Sequence, residues 1–281
     1  MNLEKQIIDD IYSGRSTIKY SYVDVGANNF IRVINSNCYY YYRIELALVR
    51  NNIAAIRRSF RETIVVLGVG DGSKLSCLLS DEYNTVLVDI SAELLHTVQK
   101  RIPKAAIVLN TSFETVDYQK LGDNMTFLLL GGTLCNIEAW SDFLTRLREE
   151  CPMSNVIIGM EFADEEDHKV GERIRDGYSS AESEEFLFYP LSLLGISRDD
   201  GTVEVIYNES LHRIESYFVF NSQGKAIWLR MTETEPPSRV LLNVSNKPTR
   251  AQFFQTANRL GLRRGQLDCS TGSISIIELY W

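Results

Sequence analysis

The sequence of 281 residues lacks features that would place it in several classes of protein. No run approaches 18 apolar residues, so no membrane-spanning helix is predicted. The stretch MNLEKQIIDD at the start has no signal-peptide profile. The net charge is −8, whereas a surface for nucleic acid requires a basic patch. We therefore expect a cytoplasmic protein with neither a nucleic-acid nor a membrane partner.

Cysteine and histidine are few and scattered. The five cysteines are isolated from one another, their number is odd and none forms a C-x-x-C pair. The three histidines, His96, His168 and His212, are equally dispersed. Such a pattern favours free thiols in a reducing compartment and gives no support to a metal site. The apolar content of 44% is ordinary, and the length suffices for one large or two modest domains.

Residues 63–91 contain the pattern around which the rest of the chain can be arranged. Residues 64–67 and 85–88 are apolar runs typical of buried parallel strands. Gly68, Gly70 and Gly72 follow the first run, and Asp89 ends the second. Glycines let the backbone approach a ligand closely, and a carboxylate at the end of the next strand can accept from ribose hydroxyls. The pattern predicts a nucleotide-type site.

The glycine spacing distinguishes among the possible ligands. The fingerprint of a dinucleotide site is G-x-G-x-x-G, but here the pattern is G-x-G-x-G. With the acidic residue after the next strand, it is more similar to the S-adenosylmethionine (SAM) site of class I methyltransferases. A dinucleotide site and a purely structural turn are the alternatives.

The flanking segments predict an α/β fold. Further strands are expected over residues 105–109, 125–130 and 155–160, and helices between them, so strands and helices alternate as in a parallel, doubly wound sheet. Ligands of such sheets bind beyond the carboxyl ends of the strands. The turn at Gly131 and the amide of Asn136 follow the fourth strand and are therefore candidates for ligand contact, although asparagine in such a loop often bonds its own backbone.

Beyond Phe162 the pattern changes to an acidic, polar stretch and then to strands predicted over residues 203–207, 212–220 and 226–231. We predict a class I methyltransferase-like, Rossmann-like doubly wound sheet with an inserted smaller α/β cap domain. The SAM-binding core is assigned to residues 50–166 plus 247–281. The substrate-binding cap is assigned to residues 1–49 plus 167–246.

Five segments in order resemble one family. They are KYSYVDVGANNFIRVINSNCYYYYRIE, LGVGDGSK, VDIS, LLLGGTLCN and NVSNK. The family comprises the SAM-dependent histidine Nα-methyltransferases of ergothioneine biosynthesis and their relatives that methylate the α-amine of other aromatic amino acids. In the first segment Tyr41-Tyr42 replace Pro-Thr, whereas the residues that fit the family pattern are Gly26, Phe30, Tyr39-Tyr40, Arg43 and Glu45.

The resemblance implies SAM as the cofactor and assigns residues to it. The glycine turn would lie near the methionine part, Asp89 on the ribose and Phe113 on the base. The family has a carboxylate where this chain has Ser112. The full set implied for the cofactor is Gly68, Gly70, Gly72, Lys74, Asp89, Ser112, Phe113 and Gly131.

The resemblance also assigns an amino-acid substrate. Asn136 would hold its α-amino group, Tyr178 its carboxylate, and Tyr39 and Tyr22 would line the site. Asn243 and Ser245 correspond to a Glu and a Ser that read the histidine side chain, and Ser216 replaces a methionine that packs on its ring. The neutral Asn243 weakens histidine as the substrate, since losing a hydrogen-bond acceptor changes selectivity strongly.

The expected activity is methylation of the α-amine of an amino acid or a derivative, aromatic or histidine-like. Transfer is in line to a neutral amine, so the enzyme holds the amine close and excludes water. Tyr39 and Asn136 are the candidate catalytic residues. A methyltransferase of a peptide or protein amine and a SAM-binding module without catalysis are the alternatives.

Overall fold

The computed structural model describes residues 3–102, 107–163 and 170–281. The chain divides into two compact units. The large-sheet unit comprises Tyr40–Asp167 and Lys247–Trp281, and the small-sheet unit comprises Met1–Tyr39 and His168–Asn246. The boundary suggested after residue 49 falls within a helix of the large-sheet unit, Tyr40–Asn51. The assignment of the two parts as a SAM-binding core and a substrate-binding cap stays a prediction.

A mostly parallel sheet organises the large-sheet unit. Within the described residues it has seven strands in the order β3-β2-β1-β4-β5-β10-β9. The strands are β1 (Thr63–Leu67), β2 (Asn84–Asp89), β3 (Ile107–Asn110), β4 (Met125–Leu129), β5 (Asn155–Glu161), β9 (Arg263–Thr271) and β10 (Ile274–Tyr280). The first five pair in parallel, and β10 runs antiparallel to both β5 and β9. The predicted fold class is confirmed.

The central strands are buried along their whole length because both faces of the sheet are covered. Every residue of β4 and β5 is buried. The helices of this unit are α3 (Tyr40–Asn51), α4 (Ile53–Arg58), α5 (Ser73–Leu78), α6 (Ala92–Arg101), α7 (Trp140–Glu150) and α11 (Arg250–Arg259). Phe143 of α7 and Phe253 of α11 pack in the same apolar cluster as Phe127 of β4. The turns that follow β1 and β4 are therefore attached to strands that are packed in the apolar core.

The small-sheet unit combines helices from both parts of the chain with an antiparallel sheet. Its helices are α1 (Leu3–Tyr12), α2 (Gly26–Asn35), α8 (Val170–Tyr178), α9 (Ala181–Ser192) and α10 (Ser222–Thr232). Its strands, three within the described ranges, are β6 (Gly201–Asn208), β7 (Arg213–Phe220) and β8 (Val240–Asn246), in the order β6-β7-β8. Ile7, Leu191, Phe218 and Trp228 belong to its apolar core.

Two details differ from the sequence-based expectations. The strand expected over residues 226–231 is wrong, because this segment lies in α10, which Asn221 begins by accepting a hydrogen bond from the Gly224 N–H. The buried residues Gly224 and Trp228 lie four positions apart, as a helical period requires. Strands β8 and β9 were not anticipated, and part of the third strand, residues 105–106, lies outside the described residues.

No helix within the described ranges has both the length and the apolar character to cross a membrane. Among those same residues, no group of three His, Cys, Asp or Glu side chains is arranged to hold a metal ion.

Candidate active site

The turn after β1 favours glycine at three positions. Gly68, Gly70 and Gly72 have φ angles of +78°, +56° and +77°, a region that side chains with a Cβ rarely adopt. A Cβ on Gly68 would come within 2.9 Å of Thr133 Oγ1, and one on Gly72 within 2.9 Å of Val98 Cγ2. Positions 68, 70 and 72 thus carry no side chain that would keep a ligand from the backbone, as the sequence predicts.

Asp89 ends β2 beneath this turn. Its carboxylate accepts hydrogen bonds from the backbone N–H groups of Val69 and Ser91, each 2.8 Å long. Burial raises the pKa of Asp89 to about 6, although these backbone donors oppose the shift. The residue therefore holds the glycine turn to the end of β2. That role was not foreseen, and its contact with a ribose stays a prediction.

The turn after β4 is held by a buried carboxylate that was not among the predicted site residues. Both oxygens of Glu45, on α3, accept from the Gly131 N–H at 2.9 Å. The ammonium of Lys74, on α5, forms an ion pair with the same carboxylate and lies 4.9 Å from the centre of the Tyr42 ring. Two predicted cofactor residues, Lys74 and Gly131, are thus brought together by Glu45.

Space for Glu45 is made by Gly159 in β5. The carboxylate is fully buried, and the Tyr41 hydroxyl donates to it over 3.0 Å. A Cβ at position 159 would lie 1.7 Å from Glu45 Oε1. The available signal was an acidic residue in the family-like stretch YYYYRIE followed by the apolar positions of α3. Nothing in that stretch indicated its partners.

Asn136 lies in the short 3-10 turn Leu134–Asn136 that follows β4. Its backbone N–H bonds to Thr133 O, but within the described part of the chain its side chain makes no hydrogen bond. The alternative that the amide bonds its own backbone is therefore not observed. The half-buried amide stays available to a ligand.

The two residues assigned near the base lie after β3. Ser112 accepts from the Glu114 N–H over 3.3 Å and so begins a 3-10 turn. The Phe113 ring packs edge-to-face on Phe143, with 5.7 Å between ring centres. Ser112 thus has a local structural role, and Phe113 is anchored to the apolar core of the unit.

A second buried carboxylate, Glu161, ends β5. The Tyr40 hydroxyl donates to it over 2.5 Å, and the Lys247 ammonium lies 3.5 Å from its other oxygen. Glu161 and Lys247 are each 2% exposed. Neither was among the predicted site residues, because the two lie 86 positions apart in the sequence and only the fold brings them together.

Three of the predicted substrate residues lie together in the small-sheet unit. The Tyr178 hydroxyl, at the end of α8, donates to Ser245 Oγ on β8 over 3.0 Å. The Tyr39 ring meets the Tyr178 ring edge-on, with 6.2 Å between centres. Tyr22 instead lies in an aromatic cluster. The centre of its ring is 5.2 Å from that of Phe30 and 5.0 Å from that of Phe186.

Ser216 and Asn243 lie directly opposite each other on β7 and β8. Both are buried, with 0% and 1% exposure. Among the described residues, neither the Ser216 hydroxyl nor the Asn243 side-chain oxygen has a hydrogen-bond partner. Buried polar atoms are nearly always hydrogen-bonded, so this pair calls for an explanation.

The mostly parallel sheet, the glycine turn after β1 and the acidic end of β2 define a class I SAM-dependent methyltransferase. The chain belongs to one family of these enzymes. Residues 4–267 match the family described as histidine-specific methyltransferase, SAM-dependent. The predicted family and the predicted cofactor are confirmed. A search of curated proteins gives no match.

Solved structures similar to this chain include methyltransferases of low sequence identity. The CcbJ methyltransferase from Streptomyces caelestis is 13% identical, with 84% of this chain and 89% of that chain covered and a TM-score of 0.45. An S-adenosylmethionine-dependent methyltransferase from Clostridium acetobutylicum ATCC 824 is 11% identical, with 85% and 91% covered and a TM-score of 0.46. The PH0226 protein from Pyrococcus horikoshii OT3 is 12% identical, with 92% and 95% covered and a TM-score of 0.48.

The residues of the large-sheet unit fit SAM. Three side-chain-free positions at the turn after β1 suit close backbone approach, and the buried Asp89 keeps the turn in place. When bound, SAM supplies an electrophilic methyl group on a sulfonium. The individual contacts assigned to Lys74, Ser112, Phe113 and Gly131 stay predictions.

Proposed function

We propose that the protein methylates the α-amino nitrogen of a free amino acid or an amino-acid derivative with an aromatic or histidine-like side chain. The observation that carries the proposal is the Asn136 amide. It follows the fourth parallel strand of a SAM-dependent methyltransferase, and within the described residues it makes no side-chain hydrogen bond. Family membership supports an amino-acid substrate.

Asn136 suits an amine because the oxygen of its amide accepts a hydrogen bond from an N–H and thereby orients the nitrogen lone pair. An α-amine is mostly protonated at neutral pH, so it must lose a proton before it can attack. Holding the neutral amine within reach of the methyl carbon is the main task of the protein in such a displacement. Gly131, fixed by Glu45, keeps the start of this loop in one position.

The substrate roles of Tyr39, Tyr178 and Ser245 are retained in the proposal. Their mutual contacts in the small-sheet unit support it, since hydroxyl donors held in place by neighbours lose little freedom on binding a carboxylate or a polar side chain. Tyr22, packed in an aromatic cluster, is proposed to shape the site through its ring.

The test is mass spectrometry of the twenty free amino acids incubated with the protein and SAM, together with calorimetric titration of SAM. We expect at least one N-methylated amino acid, identified by fragmentation at the α-nitrogen. A parallel incubation with a peptide library separates the alternatives. Methylation of peptides alone, or SAM binding without any methylated product, would overturn the proposal.

A further inference from the structure

The loop after β3, residues 111–118, begins at the carboxyl end of the parallel sheet. The Thr111 N–H donates to the Asp89 carbonyl oxygen over 3.0 Å, and the Asn110 side-chain amide donates to the same oxygen over 3.2 Å. Asp89 in turn holds the glycine turn after β1 through its carboxylate. Ligands of such sheets bind beyond the carboxyl ends of the strands, so the loop lies at the edge where a cofactor binds.

The loop buries little surface of its own. Within residues 111–118 only Val116 and Tyr118 are buried, with 6% and 0% exposure, and the other side chains are half-buried or exposed. A segment with few buried residues opens readily unless neighbouring elements hold it. The conformation of the loop therefore depends on contacts made from outside it.

Arg146 of α7 supplies such contacts. Its guanidinium donates to the carbonyl oxygens of Glu114 and Val116, which lie two residues apart on the loop. Its Nε donates to Glu150 Oε1 over 2.5 Å, one turn further along the same helix. The five N–H groups of a guanidinium lie in one plane, so a single side chain can bridge two carbonyls and a carboxylate.

Glu150 and Tyr118 bond to the same part of the loop. The Tyr118 N–H donates to Glu150 Oε2 over 3.2 Å, and the Tyr118 hydroxyl donates to the Phe113 carbonyl oxygen over 2.5 Å. The guanidinium carbon of Arg146 lies 5.3 Å from the centre of the Tyr118 ring, within the range of a cation–π contact. Burial raises the pKa of Tyr118, so its hydroxyl stays protonated and can donate.

The helix that carries Arg146 is anchored in the apolar core. Phe143 and Leu147 of α7 are buried there, and the Phe143 ring packs against that of Phe113. Three backbone groups of the loop are thus tied to a buried helix, two through Arg146 and one through Glu150. A ligand that meets a loop already fixed in its binding conformation does not have to order it, which favours affinity.

We propose that Arg146 is a positioning residue for SAM, which holds the loop after β3 in the conformation that binds the cofactor. Its role is indirect, because its N–H groups are engaged by the loop and by Glu150. Ser112 and Phe113, the two residues assigned near the base, lie on this loop. The inference concerns the cofactor alone and holds for any acceptor.

Calorimetric titration with S-adenosylhomocysteine, the demethylated form of SAM, tests this without an acceptor. Arg146→Met removes the guanidinium and keeps an unbranched side chain. Its dissociation constant should rise about 10-fold, as when the binding conformation is populated about one-tenth of the time. Arg146→Lys should recover only part of the affinity, because an ammonium lacks the planar fork that spans both carbonyls.

Arg148→Met is the matched control. Arg148 lies on the same helix, its side chain is 35% exposed against 31% for Arg146, and its guanidinium also donates to a backbone carbonyl, that of Leu260. Leu260 is not part of the loop, so the dissociation constant should stay within about twofold of the wild-type value. An equal rise in Arg148→Met and Arg146→Met, or no rise in Arg146→Met, would overturn the inference.

Tyr118→Phe decides the matter if Arg146→Met does not fold. This change keeps the buried ring and removes only the hydroxyl that bonds to Phe113. The dissociation constant of S-adenosylhomocysteine should rise about 3- to 10-fold, the effect of losing one net hydrogen bond that fixes the loop. An unchanged dissociation constant would contradict the role of the loop contacts. These titrations stand even if the proposed acceptor is wrong.

Discussion

The carboxylate of Glu45 occupies the space that a side chain at Gly159 would fill. The distance from Glu45 Oε1 to an added Cβ would be 1.7 Å, whereas real contacts of a Cβ are rarely below 3.0 Å. Gly159→Ala should therefore displace the carboxylate from the Gly131 N–H and lower the free energy of unfolding by about 1–3 kcal/mol. Denaturant unfolding measures this. In a double-mutant cycle with Glu45→Ala the two effects should be non-additive; additive effects would contradict the contact.

The charge of Glu45 balances the buried ammonium of Lys74. Side-chain exposures of 0% and 10% leave little solvent to screen either charge. Glu45→Gln should cost about 3–5 kcal/mol of stability, because a buried cation loses its partner. Lys74→Met should cost a similar amount. Combining the two changes should recover most of the loss, and a double variant as unstable as the sum of the single ones would refute this account.

Replacing Asn136 by Ala should reduce kcat/KM for the acceptor at least about 100-fold, because the amine loses the group that orients it. The dissociation constant of SAM should stay within a factor of about two, since the assigned SAM contacts do not include this side chain. Initial rates and calorimetry measure the two quantities. Full activity of Asn136→Ala would refute the role of this residue.

Asp89 makes stability depend on pH in a defined direction. Burial raises its pKa from 3.8 to about 6 in the folded protein, so the folded state binds more protons than the unfolded state between these values. The contribution of Asp89 to stability therefore falls as pH rises from about 4 through about 6, by roughly 3 kcal/mol in total.

Asp89→Asn lacks this titration. The thermal midpoint of the variant minus that of the wild type should increase between pH 4 and pH 7 and stay constant above pH 7. Other carboxylates titrate in both proteins and cancel in the comparison. A difference that stays flat across this range, or that falls, would contradict the raised pKa.

Tyr178→Phe tests whether the Tyr178 hydroxyl contacts the amino-acid substrate. The hydroxyl bonds to Ser245 at a half-buried position, so its loss should change stability by only about 0.5–1.5 kcal/mol. If the hydroxyl contacts the acceptor, the KM for the amino acid rises while the KM for SAM is unchanged. Unchanged acceptor kinetics would remove Tyr178 from the site.

Local sequence patterns predicted secondary structure correctly where both faces of an element have the same environment. The strands before Gly68 and Asp89 were predicted within one residue, because a strand buried on both faces is apolar over most of its length. Residues 226–231 failed because Ala, Ile, Trp, Leu and Met fit a half-buried helix as well as a strand. Asn221, the residue that begins this helix, was the available signal.

By itself the sequence predicted a nucleotide-type site in an α/β fold, since a strand, a glycine turn and an acidic strand end are local features with fixed spacing. The resemblance of five segments to one family then gave the class of the protein and its cofactor. Only the tertiary structure decided which residues support them. Glu45 holds Gly131 across 86 positions, Glu161 pairs with the distant Lys247, and Ser216 lies opposite Asn243. Such partners depend on strand register and on the space left by Gly159, which residue spacing along a chain does not encode.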